Sequence, residues 1–207
     1  MKTTPRHSHA AFTLIELMAV VTIIIILAGL VIGGLGYVTE KQAKSKASVQ
    51  MALLGKALEA YKLDLGFYPP NPTAATLKDG KSSAQSLYIP LFYEGYEYGT
   101  KTTAPDTWEK TIDTVKVPKA TTIYLPELDP TTSKQGWVDP ITGSGTKVPP
   151  TSTTVKDPYA MEYRYRSAKS AKGTANTDAL NPDFDLWSCG KDGNSGTATT
   201  NKDDIKN

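Results

Sequence analysis

A carboxylate at the start of a long apolar segment is the residue of this chain with the clearest chemical meaning. Glu16 precedes the stretch from Leu17 to Gly36, in which Thr22 is the only polar side chain. A carboxylate in hydrocarbon costs at least about 2.5 kcal/mol, and ionisable residues in such segments usually pair with another group. The sequence therefore predicts a partner for Glu16, and the identity of that partner bears directly on function.

The remaining reactive residues argue against an enzyme. Both histidines, His7 and His9, lie in a basic leader of residues 1–11, so a chain beginning at Phe12 has no histidine. Histidine-based proton transfer and histidine-ligated zinc are then excluded. Cys189 is the only cysteine, cannot form an internal disulfide and lacks a histidine base for catalysis. We predict that it is a small core residue, and we find neither a glycine-rich phosphate loop nor a serine nucleophile motif.

The charge balance gives no reason to expect a nucleic-acid partner. The chain has 23 lysines and arginines against 21 acidic residues. Removal of the leader, with Lys2 and Arg6, leaves equal numbers of basic and acidic residues. A neutral chain lacks the electrostatic attraction to phosphates that dominates nucleic-acid binding.

Residues 12–37 are predicted to span a membrane. About 20 apolar helical residues cross the hydrocarbon core, whereas a cleaved secretory signal has a shorter apolar core. A plain signal anchor explains the length of the segment but not Glu16. Basic residues flank both ends of the segment, so the positive-inside rule does not assign its orientation.

The next segment, residues 38–66, is predicted to be the amphipathic half of the same helix. Its apolar positions recur every three or four residues, which is the period of one helix face: Ala47, Met51, Leu54, Leu58, Tyr61 and Leu65. We favour packing of this face on the chain's own domain over a coiled coil. Gly66 suits the C-terminal cap. Gly33 and Gly34 weaken the helix, each by roughly 1 kcal/mol relative to alanine, and indicate either close helix packing or a stretch that can unwind.

The rest of the chain predicts a small sheet with long loops. Residues 67–156, rich in Thr, Pro, Ser and Gly, are interpreted as a variable loop-rich region. Within it an aromatic cluster is interpreted as core or loop packing rather than a binding surface: Tyr88, Phe92, Tyr93, Tyr96 and Tyr98. In residues 157–207, apolar residues alternate with polar ones from Met161 to Arg166, and Phe184–Ser188 gives a second strand. The predicted fold class is α+β, with a long N-terminal helix packed on a small antiparallel sheet.

Several segments of the chain resemble one protein family. Ala11-Phe12-Thr13-Leu14-Ile15-Glu16 before an apolar helix resembles the processing site of type IV pilins and type II secretion pseudopilins. Further segments resemble the major pseudopilins, of the general secretion pathway protein G type: Tyr61 to Pro69, Asp157 to Tyr163, Ser188 to Thr197 and Asp203 to Asn207. The resemblance covers about residues 11–70 and 157–207, and it implies the pilin fold.

The resemblance implies processing and assembly at the N-terminus. A prepilin peptidase would cut between Ala11 and Phe12 and methylate the new amine of Phe12. The family usually has glycine at the position of Ala11, and proline at that of Gly33. The amine of Phe12 would pair with Glu16 of a neighbouring subunit, so that each offsets the desolvation of the other. The alternatives are that Glu16 reaches the membrane surface or pairs with the amine of its own chain.

The resemblance also implies a calcium site near the C-terminus. Its ligands would be the side chains of Asp192, Asp203 and Asp204 and the backbone carbonyl of Cys189, with further oxygens completing a shell of six to eight. This chain inserts residues 198–202 before Asp203, and two lysines lie nearby. The alternative is an ordinary polar C-terminus.

The function implied by the resemblance is structural. The chain would be a single-pass inner-membrane protein whose C-terminal part lies in the periplasm and whose copies form a helical filament that drives protein export. Its partners would be the prepilin peptidase, minor pseudopilins and an inner-membrane platform with its ATPase. The alternatives are a type IV pilin of an extracellular fibre, for adhesion, motility or DNA uptake, and an anchored module that never polymerises. Many such pilins carry a C-terminal disulfide, which one cysteine cannot form.

Overall fold

The computed structural model describes residues 12–71, 86–132, 136–141, 153–193 and 205–206. They form two compact units, one ending at Gln42 and the other beginning at Ala43. Helix α1, Leu14–Leu65, has 52 residues and contributes to both units. The predicted long N-terminal helix is therefore confirmed.

The first unit is the apolar part of α1. Its large apolar side chains from Phe12 to Val38, where described, are between 45% and 80% exposed. Thr22, the single polar residue between Leu17 and Gly36, is satisfied locally, since its hydroxyl donates a hydrogen bond of 2.8 Å to the Met18 carbonyl. The helix is long and apolar enough to cross a membrane, and none of its most apolar stretch is buried against the described protein. A core helix of a soluble protein would instead be covered.

The second unit packs around the amphipathic part of α1. Five of the six predicted stripe residues are at most 6% exposed, namely Ala47, Met51, Leu54, Leu58 and Tyr61. Leu65 is partly buried against the same core. The backbone of Gly66 has φ +83° and its N–H donates to the Lys62 carbonyl at 2.7 Å. The predicted packing face and the glycine cap are both confirmed.

Three strands form the sheet that packs on this helix. β3 (Arg164–Ser167), β4 (Phe184–Ser188) and β5 (Ile205–Lys206) are antiparallel, in the order β3-β4-β5. Buried tyrosines join β3 to its surroundings: the Tyr165 hydroxyl donates to the Pro69 carbonyl at 2.8 Å. The hydroxyl of Tyr163, just before β3, donates to Gln50 Oε1 of α1, also at 2.8 Å. The sheet therefore rests on the helix through both apolar contact and buried hydrogen bonds.

The strand predicted to begin at Met161 starts three residues later. Asp157 organises a turn in its place, because its Oδ1 accepts hydrogen bonds of 2.9 Å from the backbone N–H groups of Tyr159 and Met161. Ala160 in this turn has φ +64°, which is incompatible with a strand. Met161 is consequently 39% exposed rather than buried.

The predicted polar face of the sheet is also more buried than the alternation indicates. Arg166 is only 7% exposed. Its guanidinium donates to the Asp178 carbonyl, lies 3.9 Å from Asp185 Oδ2 and stacks on the Trp187 ring at 5.5 Å. The loop between β3 and β4 supplies the Asp178 contact, which a strand pattern alone does not predict.

The middle region holds more regular structure than its loop-like composition predicts. A π-helical turn at Ile89–Tyr93 leads into α2, Glu94–Gly99. A hairpin follows, formed by β1 (Glu109–Ile112) and β2 (Val115–Pro118), and then a 3₁₀ turn at Pro126–Leu128.

The interpretation of the aromatic cluster as core packing is correct for part of the cluster. Tyr88 and Phe92 are buried and their rings stack at 5.6 Å. Tyr96, stacked on Phe92 at 5.8 Å, is 37% exposed. The cluster therefore contributes to the core at one end and reaches the surface at the other.

A buried ion pair joins α2 to the hairpin. Glu94 is 1% exposed, and its carboxylate accepts hydrogen bonds from Lys110 Nζ at 2.5 Å and from the Ala120 backbone N–H at 2.7 Å. The neighbouring Gly95 lies so close to the chain at Thr122 that a Cβ atom there would be 2.6 Å from the Ile123 nitrogen. Glu94 and Gly95 thus fix α2 against residues 110–123.

Candidate functional site

The N-terminal end of α1 is closed by a reciprocal pair of side chains. The backbone N–H of Thr13 donates to Glu16 Oε2 at 2.9 Å, and the Thr13 hydroxyl donates to the same oxygen at 2.8 Å. The Glu16 N–H is 3.3 Å from the Thr13 hydroxyl oxygen, to which it donates. This is a capping box, which satisfies amide donors that the first helical turn leaves open.

Glu16 therefore has a partner within its own chain that the sequence analysis missed. The signal was present, because a threonine followed three residues later by glutamate is the usual pattern of such a cap. Both Thr13 hydrogen bonds end on Oε2. Among the residues that the structure describes, Oε1 accepts no hydrogen bond, and Glu16 is exposed. The carboxylate can therefore cap its helix and still receive a cation from another copy.

The residues predicted for processing lie beside this cap. Phe12 directly precedes the Thr13 cap, and its side chain is 80% exposed. Ala11 lies outside the described residues, so the cleavage site stays a prediction. Gly33 and Gly34 lie within α1, and their role as weak points of the helix also stays a prediction.

The C-terminal candidate site is described only in part. Asp192 is exposed, and Gly190 and Gly193 on either side of it have φ of +64° and +66°, which fits a tight loop. Asp203 and Asp204 lie outside the described residues. No group of three or more His, Cys, Asp or Glu side chains that could hold a metal occurs in the part of the chain that the structure describes.

The strands nevertheless bring the two ends of this segment together. Ser188 of β4 pairs with Ile205 of β5, so the segment between these two residues joins neighbouring strands. Cys189 is fully buried, and its sulfur accepts a hydrogen bond of 3.3 Å from Arg164 Nε. The prediction that Cys189 is a core residue is confirmed. β5 itself was missed, because two residues are too short to show a strand pattern.

Comparison with known proteins supports the N-terminal interpretation. A family described as the prokaryotic N-terminal methylation motif matches residues 6–32, which include Phe12, Thr13 and Glu16. Over 58 residues the chain is 47% identical to the type II secretion system core protein G of Escherichia coli (strain K12). The first match is to a methylation motif, and the second is to part of a type II secretion protein.

The pseudopilin likeness is confined to part of each protein. The matched segment is 28% of this chain and 40% of the relative. The chain thus spans about 40% of the length of the curated relative that it matches. The same 58 residues are a smaller share of this chain, so it is the longer of the two.

Proposed function

We propose that this chain is a structural subunit of a type II secretion pseudopilus, whose copies assemble through the N-terminal part of α1 into a periplasmic filament that drives protein export. The observation that carries the proposal is the exposed apolar helix that begins with the Thr13–Glu16 cap inside a methylation motif. The pseudopilin relative favours secretion over other filament functions.

The exposed apolar helix needs cover both in the membrane and after it leaves the membrane. Lipid covers these side chains while the helix spans the inner membrane. When the helix leaves the bilayer, other copies of the same helix must cover them, since burial of each large aliphatic side chain is worth about 1.5–3 kcal/mol. A homo-oligomeric helical filament meets this requirement.

Cleavage after Ala11 would supply the cation that Glu16 needs. A methylated amine on Phe12 is positively charged, and it would reach the free Oε1 of Glu16 on a neighbouring copy. The pair would offset the desolvation of both charges as they enter an apolar filament core.

The proposed partners are a prepilin peptidase, minor pseudopilins and an inner-membrane platform with its ATPase. The part of the chain after α1 would lie in the periplasm.

Deletion of the gene tests the assignment to secretion. The deletion strain is expected to lose exported protein from the medium. The unmodified strain is expected to show few surface fibres at native expression, measured by electron microscopy and by immunoblotting of sheared material. Unchanged secretion in the deletion strain, together with abundant long surface fibres of this chain in the unmodified strain, would contradict the proposal and assign the chain to an extracellular pilus.

Calcium is proposed as a ligand of the segment between β4 and β5. Asp192, Asp203 and Asp204 carry oxygen donors, which calcium prefers, and backbone carbonyls such as that of Cys189 would complete the shell. The described part of the segment fits, since the Ser188–Ile205 pairing closes it and two residues of positive φ flank Asp192. When bound, the ion would fasten this loop to the sheet.

Calcium is expected to raise the melting temperature of the chain, because a ligand that binds the folded state stabilises it. The measurement is thermal denaturation with calcium and with chelator. Asp203→Ala should abolish the rise, whereas Asp178→Ala, an exposed aspartate in another loop, should preserve it. Identical melting curves with calcium and with chelator would defeat the proposal.

A further inference from the structure

A cavity of about 280 Å³ lies in the second unit of the chain. Its walls come from the end of α1 and the turn after it, from β2 and from the loop between β3 and β4. Phe67, Val117 and Pro182 give it an apolar side. This volume is just below the usual range of ligand-binding cavities, so it admits a group about as large as one amino-acid residue.

The charge of one of the two lysines that line the cavity is already balanced by an aspartate. Lys62 Nζ donates hydrogen bonds of 3.1 Å to Asp183 Oδ1 and to the Tyr68 hydroxyl, and it lies 4.4 Å from the centre of the Tyr68 ring. The hydrogen bonds to Tyr68 and Asp183 raise the pKa of Lys62, which keeps it charged and paired with Asp183.

The second lysine leaves the cavity with a positive charge. Lys169 is exposed, and its ammonium makes no ion pair with any residue in the described ranges. Ser167 holds the backbone beside it, since its hydroxyl donates to the Lys169 carbonyl at 2.7 Å and accepts from the Lys169 N–H at 3.3 Å. The backbone that carries the Lys169 side chain is therefore held in a defined conformation.

A buried hydroxyl in the same loop lacks a hydrogen-bond partner. The backbone of Ser170 closes a turn, with Ser170 N–H donating to the Thr174 carbonyl and Gly173 N–H donating to the Ser170 carbonyl, both at 2.9 Å. Its Oγ is almost fully covered by the protein and bonds to none of the described residues. Buried polar groups normally find a partner. Because Ser170 follows Lys169 in the chain and both residues line the cavity, an anionic acceptor suits the pair.

We propose that this cavity binds a carboxylate carried on a short apolar body. A rotation of the Ser170 side chain turns its hydroxyl toward the cavity, where it donates to the carboxylate, and Lys169 balances the charge. Phe67, Val117 and Pro182 contact the apolar part. A cation is disfavoured by the charge of Lys169, which no described residue balances, and a phosphate would leave the apolar wall uncovered. The C-terminus of a peptide and a free organic acid share this chemistry. The inference does not depend on filament assembly, so the two proposals stand or fall separately.

Ligand-observed NMR titration of the full chain in detergent micelles tests the proposal. N-acetyl-leucine is expected to bind saturably, and its neutral analogue N-acetyl-leucinamide at least about tenfold more weakly, since only the acid carries the charge. Hexanoate distinguishes a free organic acid from a peptide C-terminus as the natural ligand. If hexanoate binds as tightly as N-acetyl-leucine, the ligand is a free acid; if hexanoate binds more weakly, the ligand is a peptide terminus.

Matched variants make the test specific. Lys169→Gln and Ser170→Ala should each weaken N-acetyl-leucine binding about fivefold or more, whereas Lys172→Gln, an exposed lysine of the same loop that does not line the cavity, should leave it within about twofold. Circular dichroism checks that each variant stays folded. Equal titrations for acid and amide, equal loss in the Lys169 and Lys172 variants, or no saturable binding would overturn the proposal.

Discussion

Glu16→Gln is expected to leave the chain inserted in the membrane and to reduce filament yield by more than about 100-fold. Glutamine serves the capping box nearly as well as glutamate, so the bonds from Thr13 to position 16 are retained. The charge is lost, and the amine of Phe12 on a neighbouring copy would then be buried without a counter-ion. Removal of one member of a buried pair costs about 3–5 kcal/mol, which corresponds to at least about two orders of magnitude in association.

The substitution separates two explanations of the same residue. If Glu16 acts only as a cap, Glu16→Gln should assemble normally, while Thr13→Val should lose roughly 1 kcal/mol of helix stability. If the Glu16 charge instead pairs with the amine of another copy, Glu16→Gln should reduce filament yield strongly and Thr13→Val only slightly. Filament yield is measured by immunoblotting of sheared or sedimented material, and insertion by carbonate extraction. Glu40→Gln, an exposed glutamate after the apolar stretch, is the matched control and should assemble.

Glu94→Ala is expected to destabilise the second unit by about 3–5 kcal/mol, the largest stability effect that we predict for a single side chain. It removes the acceptor of both Lys110 Nζ and the Ala120 N–H, leaving a largely buried ammonium and a backbone donor without partners. For a chain of this size, that loss lowers the melting temperature by roughly 6–20 °C. Thermal denaturation followed by circular dichroism gives the value.

The control for this effect is an ion pair in the same region. Glu97 and Lys119 are 3.6 Å apart and about one quarter to one third exposed, so Glu97→Ala should cost less than about 1 kcal/mol. A similar melting temperature for both alanine variants would show that burial of Glu94 does not determine its contribution.

The long helix could be predicted because its sequence repeats one simple pattern. Residues 47, 51, 54, 58 and 61 recur at helical spacing, and the structure buries all five. Gly66 could be assigned as a cap because few residues adopt positive φ without strain. The elements of the middle region were missed because their positions are fixed by contacts distant in the chain, such as Glu94 with Ala120 and Tyr124 with Asp64.

The candidate site was predictable in its residues but not in its geometry. The unusual position of Glu16 is evident from the sequence. A partner in another copy was predicted from it, and the hydrogen bonds from Thr13 were missed. Arg166 was placed on a polar face because alternation carries no information on the loop that covers it. Asp157, read only as part of a motif, proves to hold the entry to the sheet through Met161 and Ser188.

The central claim is that the apolar halves of α1 from neighbouring copies contact one another. Single cysteines introduced across residues 17–32, in a Cys189→Ser background and in cells with the assembly components, test it by oxidative crosslinking. We expect covalent dimers at positions that repeat every three to four residues, as expected for one helix face, and their loss when Glu16→Gln is added. The absence of dimers at every position, or dimers unaffected by Glu16→Gln, would contradict the account.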